Sequence, residues 1–250
     1  MTATFEKVIG KLARHKYLND AVMNMALAFV CNYFSNCYVV DSLSITDENM
    51  YVPNQPLVSC KFILVHVHME ALKHWIIQIV EVQMNGEDVS KHKMGVSFYD
   101  PLGVTSNLEI CQAKWISFTL PLLQQWHERD TDRDKVLNLT ARIKIGRNST
   151  TVAVTQASQP LTTPKIGLPS VVAVKMTRPK QADAVCCGVL CIAQAYNYVR
   201  GLQTLKNYKA LPENDLLQML LRLLWTLIND LNVSDGNNED TWLCSRGLPH

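Results

Sequence analysis

No apolar run of bilayer length stands out in this chain, and the stretch from Ala26 to Cys31 is far too short to span a membrane. The first 15 residues carry Glu6, Lys7, Lys11, Arg14 and His15, so no uninterrupted signal-peptide core is expected there. Paired Cys-x-x-Cys spacing is also missing, which argues against a structural zinc site. Basic residues are not interleaved with aromatics in a stripe. The cluster Lys175, Arg178 and Lys180 reads as a solvated loop rather than a nucleic-acid surface. Charge of either sign is modest: 18% of residues are charged and the formal net charge is +2, against 48% apolar residues. That composition describes a soluble globular chain, and 250 residues suffice for one domain with a sizeable core. There are eight cysteines, but Cys186, Cys187 and Cys191 crowd one helix start, a poor layout for bridges. An intracellular protein of the nucleus or cytoplasm is expected. The acceptor-like triplets at Asn138, Asn148 and Asn232 would be idle there.

What is present is a mixed series of elements. Residues from about Asn19 to Phe34 read as a helix capped by Asn19 or Asp20. Phe62 to His68 reads as a strand. His66 and His68 share one of its faces; with no third ligand evident, they are expected to be structural. Trp75 to Val82 and Val96 to Asp100 read as an antiparallel pair joined through Asn85-Gly86. Asn107 to Leu120 reads as a helix with Trp115 and Phe118 inward, ended or kinked at Pro121. The segment from about 130 to 168 reads as an insertion. Within it, Leu137 to Ile145 and Thr151 to Val154 are expected to form a hairpin turning at Gly146-Arg147-Asn148. Val171 to Val174 is a further strand, and Leu216 to Leu231 a last helix. We therefore expect one domain over 1–234 and a flexible tail over 235–250.

Three features carry chemistry. In the run from Gln181 to Gly188, a glutamine precedes by six residues a Cys-Gly pair that opens an apolar helix. A cysteine at a helix N-terminus faces free N–H groups and the positive end of the backbone dipole, which favour its thiolate. The glutamine amide one loop upstream would donate to an oxyanion. A nucleophile needs a base and a group to orient it. Depending on register, the strand pair brings His74, at the start of one strand, beside Asp100, at the end of the other. Taken singly, each residue has an ordinary alternative: a satisfied strand histidine, a turn aspartate, a loop glutamine, a small buried thiol.

These motifs, in this order, resemble the ubiquitin-like-protein proteases, the SUMO-specific cysteine peptidases related to the adenovirus protease. The residues that carry the resemblance are His74-Trp75, Tyr99-Asp100-Pro101-Leu102, Gln181, Cys187-Gly188 and Tyr17-Leu18-Asn19-Asp20. It spans about residues 15 to 232. The resemblance implies an α+β, papain-like or adenain-like fold, with a central mixed sheet flanked by helices and the nucleophile at a helix N-terminus. It implies His74, Asp100, Gln181 and Cys187 as catalytic residues. It also implies Trp75 and Tyr17 as walls of a slot for a Gly-Gly tail, and Asp20 as a partner for a basic residue of the modifier. Two departures are a cysteine at 186, where the family has a polar or acidic residue, and tyrosine at 17, where it has tryptophan. The implied enzyme is a monomeric cysteine peptidase or isopeptidase. It would act after the C-terminal Gly-Gly of a ubiquitin-like modifier, SUMO foremost, with no metal or cofactor and no nucleic-acid or membrane partner. Alternatives on the same scaffold are an acyltransferase, a protease of viral or mobile-element polyproteins, and a catalytically silent module that binds a modifier.

Overall fold

The computed structural model describes residues 17–41, 45–46, 49–84, 91–146, 168–181 and 185–202, with Leu205, Lys209, Gln218, Met219, Leu221 and Trp225 singly; over 134–146 it describes the backbone alone. Helix α1, Asp20–Tyr33, starts at Asn19, whose side chain accepts from Val22 N at 3.1 Å. Val22, Met23, Ala26, Leu27 and Val30 recur at helical spacing, so one face is buried. Five strands follow in one sheet: β1 (Cys37–Val40), β4 (Phe62–Met69), β5 (His74–Gln83), β6 (Lys93–Tyr99) and β7 (Val171–Met176). Two-residue strands β2 (Ile45–Thr46) and β3 (Asn49–Met50) pair separately. The large sheet runs β1-β4-β5-β6-β7. β1 and β4 are parallel, β4, β5 and β6 antiparallel, and β6 and β7 parallel.

Helices cover both faces of this mixed sheet, and β4 and β5 accordingly read as almost continuous apolar runs rather than alternating ones. On one face, Leu64, Trp75, Ile77, Ile79 and Tyr99 pack against α1 and helix α4, Cys187–Val199. On the other, Ile63, Val65, Ile76, Val80 and Phe98 pack against helix α2 (Thr105–Lys114), a π-helical turn (Trp115–Thr119) and the start of helix α3 (Leu120–Gly146). Gln78, fully buried in mid-sheet, ties the second layer down. Its amide donates to Cys111 O at 3.2 Å and accepts from Thr119 Oγ1 at 2.8 Å. Trp126 Nε1 donates to Gln55 O at 2.7 Å and Asp130 accepts from Leu57 N at 2.6 Å, anchoring α3 to the chain entering β4.

Two expectations are corrected here. Pro121 does not end the helix that contains Trp115; it sits in the first turn of α3, where a missing N–H is tolerated. Just before it, Leu120 N bonds Trp115 O, so the ladder has already shifted by one residue. Trp115 is buried as expected, whereas Phe118 is only half-buried. Residues 137–145 are helical, part of α3, and not a strand of a hairpin. The expected partner strand 151–154, the Asn85-Gly86 turn and the tail lie outside the described residues, and the expected last helix is described only at single helical positions. Among the described residues no helix is long and apolar enough to cross a membrane. Seven cysteines are described, all as free thiols.

Candidate active site

The register between β5 and β6 pairs Ile77 with Tyr99. Continued by one residue, it sets Asp100 opposite Ile76, on the sheet face that His74 shares by strand alternation. The two side chains are thus diagonal neighbours on one face, within reach of each other. His74 Nε2 meets Asp100 Oδ1 at 2.6 Å, with His74 3% exposed and Asp100 wholly buried.

Asp100 is fixed before it meets the imidazole. Its carboxylate accepts from Leu102 N and Val104 N, each at 2.9 Å, and from Asn107 Nδ2 at 3.2 Å. Val104 caps α2 and Asn107 lies in its first turn, so the carboxylate also sits at a helix N-terminus, where negative charge is favoured. Burial alone would raise the Asp100 pKa. The bonds from His74, Val104 N and Leu102 N reverse that and hold it below the usual carboxylate range. The Asp-Pro-Leu-Gly turn closes through Gly103 N to Asp100 O at 2.9 Å. Gly103 has φ +64°, and an added Cβ would stand 2.7 Å from Lys180 Cε and 3.2 Å from Thr177 O. This turn therefore packs directly on the loop that leads toward Cys187.

Two further bonds lock those loops together. Tyr99 OH donates to Pro179 O at 2.7 Å, and Gln181 N donates to Pro101 O at 2.8 Å. The Arg178-Pro179 peptide is cis. Gln181 is thereby held against the Asp100 turn by its backbone; residues 182–184 between it and α4 lie outside the described ones.

Cys187 is the first residue of α4, with Cys186 as its N-cap. A Cβ at Gly188 would stand 3.0 Å from both Leu18 Cδ1 and Met23 Sδ and 3.2 Å from Leu18 Cβ, so the helix start approaches α1 closely enough that a side chain there would push its neighbours by a few tenths of an ångström. The Cys187 thiol lies close enough to the His74 ring to help raise its pKa. Nε2 is engaged by Asp100, so Nδ1 is the ring nitrogen left to serve the thiol. Burial works to lower the His74 pKa, yet the Asp100 bond and the Cys187 contacts outweigh it and lift the value to about 9. Burial raises Cys111 to about 12, and it raises Cys191, one turn beyond Cys187, well above the ordinary range. Cys191 Sγ donates to Trp75 O at 3.4 Å and acts as a packing residue.

The expected substrate-binding residues are only partly gathered at the surface. Trp75 donates its indole N–H to Leu18 O at 2.7 Å, next to Tyr17. Trp75 is 1% exposed and packs against the tilted rings of His68 (centroids 4.5 Å apart) and His66 (5.3 Å); Tyr17 is 39% exposed. Of the two rings, Tyr17 is the one that solvent reaches. Asp20, half-buried in the first turn of α1, lies close enough to His66 to act on its charge. His66 and His68 are packing partners of Trp75, and no cluster of three metal-ligating side chains exists among the described residues.

Asn107, Tyr99 and Leu18 belong to the site's support; Tyr99 and Leu18 are read only as parts of motifs, and none of the three is assigned a role from the sequence. Asn107 carries a faint signal, an amide three residues beyond the cap of the helix that follows the Asp-Pro turn. The roles of the Leu18 carbonyl and the Tyr99 hydroxyl have no linear signal, because the first accepts from the Trp75 indole and the second donates to Pro179 O, each partner far along the chain.

No protein-family model and no curated protein matches the chain. Solved structures do. The SUMO protease Ulp1 with its catalytic cysteine oxidized to a sulfenic acid is 12% identical with a TM-score of 0.52, the match covering 92% of this chain and 84% of that one. The C-terminal Ulp1 protease domain in complex with Smt3, the yeast ortholog of SUMO, is 12% identical with a TM-score of 0.51, covering 90% and 82%. A de-sumoylating protease is 12% identical with a TM-score of 0.52, covering 92% and 87%. The chain therefore has a Ulp1-like cysteine-protease fold, α+β with a mixed five-stranded sheet and the candidate nucleophile at a helix N-terminus.

Proposed function

We propose that this protein is a cysteine peptidase that cleaves after the C-terminal Gly-Gly of a ubiquitin-like modifier, SUMO foremost, in precursors or isopeptide conjugates. The observation that carries the reading is the buried Cys187, His74 and Asp100 series at the N-terminus of α4, on a fold similar to that of Ulp1. His74 Nδ1 takes the Cys187 proton, and Asp100 holds the ring through Nε2 and supports the imidazolium. The thiolate attacks the glycine carbonyl carbon, forming a carbon–sulfur bond and an oxyanion. The Cys187 N–H and the Gln181 amide would receive that oxygen. The intermediate collapses with loss of the amine, which takes its proton from His74. Water, deprotonated by His74, then hydrolyses the thioester.

Tyr17 would form the exposed wall of a slot for the slender tail, with Trp75 behind it fixing Leu18 in place, so that selectivity arises by excluding side chains. Asp20 is proposed to meet a basic residue of the modifier. Seven free thiols suit the reducing nucleus or cytoplasm, where we place the enzyme.

The test is intact-mass labelling with a panel of ubiquitin-like modifiers bearing a C-terminal electrophile. One modifier should add covalently to the wild-type chain and to Cys186→Ala, with the adduct lost in Cys187→Ala together with at least about 1,000-fold of turnover. A folded wild-type protein that labels with none would overturn the reading in favour of an acyltransferase or a silent binding module.

A further inference from the structure

β7 ends the sheet on the side away from β1, and among the described residues nothing pairs with its outer edge. It is the least buried strand of the sheet: the four residues from Val172 to Lys175 are exposed, so both of its faces meet solvent there. Val172 is 66% exposed and Val174 49%. An edge of this kind offers a row of unpaired backbone donors and acceptors, a template for another strand. Its backbone phase is fixed. Met176 O accepts from Asp100 N at 3.3 Å, on the β6 side, so by two-residue alternation Val172 and Val174 also turn their N–H and C=O toward β6. Val171, Ala173 and Lys175 turn theirs outward.

The charge around this edge is of one sign. Residues 168–181 contain Lys175, Arg178 and Lys180 and no carboxylate. All three are exposed, as is Lys209, whose carbonyl accepts from Lys180 N at 3.0 Å. None of the four has an ion-pair partner among the described residues. A second copy of the strand would add positive charge to positive charge, whereas an acidic strand would neutralise it.

We propose that the outer edge of β7 is a docking site for an extended, acidic segment of a partner protein, added to the sheet as a further strand. Backbone bonds to Val171, Ala173 and Lys175 supply the affinity. Val172 and Val174 offer apolar contacts on one face, and Lys175 with Arg178 selects for carboxylates. The site is distinct from the cysteine centre, and its existence does not depend on the peptidase reading. Its far end is nonetheless coupled to that centre, because β7 runs through Met176 into the bond with Asp100 N and then into the loop holding Gln181.

The experiment is fluorescence anisotropy with a labelled peptide, Glu-Val-Glu-Thr-Glu-Val-Glu, against the full chain carrying Cys187→Ala, so that no cleavage confuses the reading. Saturable binding is expected, weakening as salt rises. It should drop at least about tenfold in Lys175→Glu/Arg178→Glu, and equally for the same peptide N-methylated at alternate residues. The peptide with lysine in place of glutamate should not bind. Ala173→Pro, which removes an outward N–H and leaves the β6 ladder intact, should also abolish binding. If that variant does not fold, the N-methylated peptide on unmodified β7 answers the same question. No binding of the acidic peptide, or undiminished binding after N-methylation, overturns the proposal.

Discussion

His74 and His66 lie on adjacent strands of one sheet, 3% and 1% exposed, yet they hold protons with opposite tenacity. Burial pushes both toward the neutral form. For His66, packed on Trp75 in the interior of β4, burial dominates and lowers the pKa to about 4; Asp20 and Asp41 pull the other way from a distance and do not offset it. For His74, at the end of β5, a carboxylate in direct contact and the facing thiol reverse the outcome, to about 9. Depth in the core therefore does not decide which histidine keeps its proton. A hydrogen-bonded carboxylate that is itself held by two backbone N–H groups and an amide does.

Asp100→Asn is the substitution that should collapse this difference. The amide keeps the shape of the site but withdraws the charge, leaving His74 in the condition of His66, so its pKa should fall below 6.5. Turnover should fall by about 100- to 10,000-fold, because the ring loses both its orientation and support for its positive form. Proton NMR of the two imidazoles during a pH titration checks the first claim, and single-turnover kinetics the second. A His74 that still titrates near 9 in Asp100→Asn would show that Cys187, rather than the carboxylate, sets its charge.

The two histidines also pull stability in opposite directions with pH. His74 binds its proton more tightly in the folded state than in the unfolded one. Its contribution, about 3 kcal/mol, is complete below pH 6.5 and is lost as pH rises toward 9. His66 binds its proton less tightly when folded. Its contribution of similar size is present above pH 6.5 and is lost as pH falls through 4. Replacing His66 by leucine should therefore remove about 2 kcal/mol of the loss between pH 7 and 4.5 and leave the alkaline limb unchanged. Urea unfolding at stepped pH reads both limbs. An acid limb as steep in His66→Leu as in the wild type would locate the acid sensitivity elsewhere.

The contrast between the layers explains what the sequence made readable. His74, Asp100 and Cys187 were legible because strand alternation and the opening of an apolar helix are local rules, and the site is built at the ends of such elements. The layer of α2 and α3 was less so. Leu137, Leu139, Ile143 and Ile145 alternate like a strand, but the helix that begins at Leu120 propagates through the polar run after Trp126 and overrides that pattern. Pro121 looked like a stop because the π turn that accommodates it has no sequence signature of its own. The hold of Asn107 on Asp100 depends on where α2 begins relative to the turn, a matter of one residue.

The smallest predicted effect separates the two histidines mechanically. Gly188→Ala places a methyl group 3.0 Å from Leu18 Cδ1 and Met23 Sδ. Those two atoms belong to flexible side chains, but Leu18 Cβ, 3.2 Å away, cannot swing aside, so the cost should fall in the ordinary range for overpacking, about 1–3 kcal/mol. The strain falls on the contact between α1 and the first turn of α4, which carries Cys187 and leaves the β4 and β5 backbone untouched. The thiol should move relative to His74 while Asp100 and His66 stay in place. Activity should drop about tenfold or more from a sub-ångström displacement. The His66 titration should be unchanged, and the His74 pKa should fall slightly as the Cys187 contribution weakens. Equal perturbation of both histidines would mean that the helix start and the sheet move as one body, and that the glycine serves packing alone.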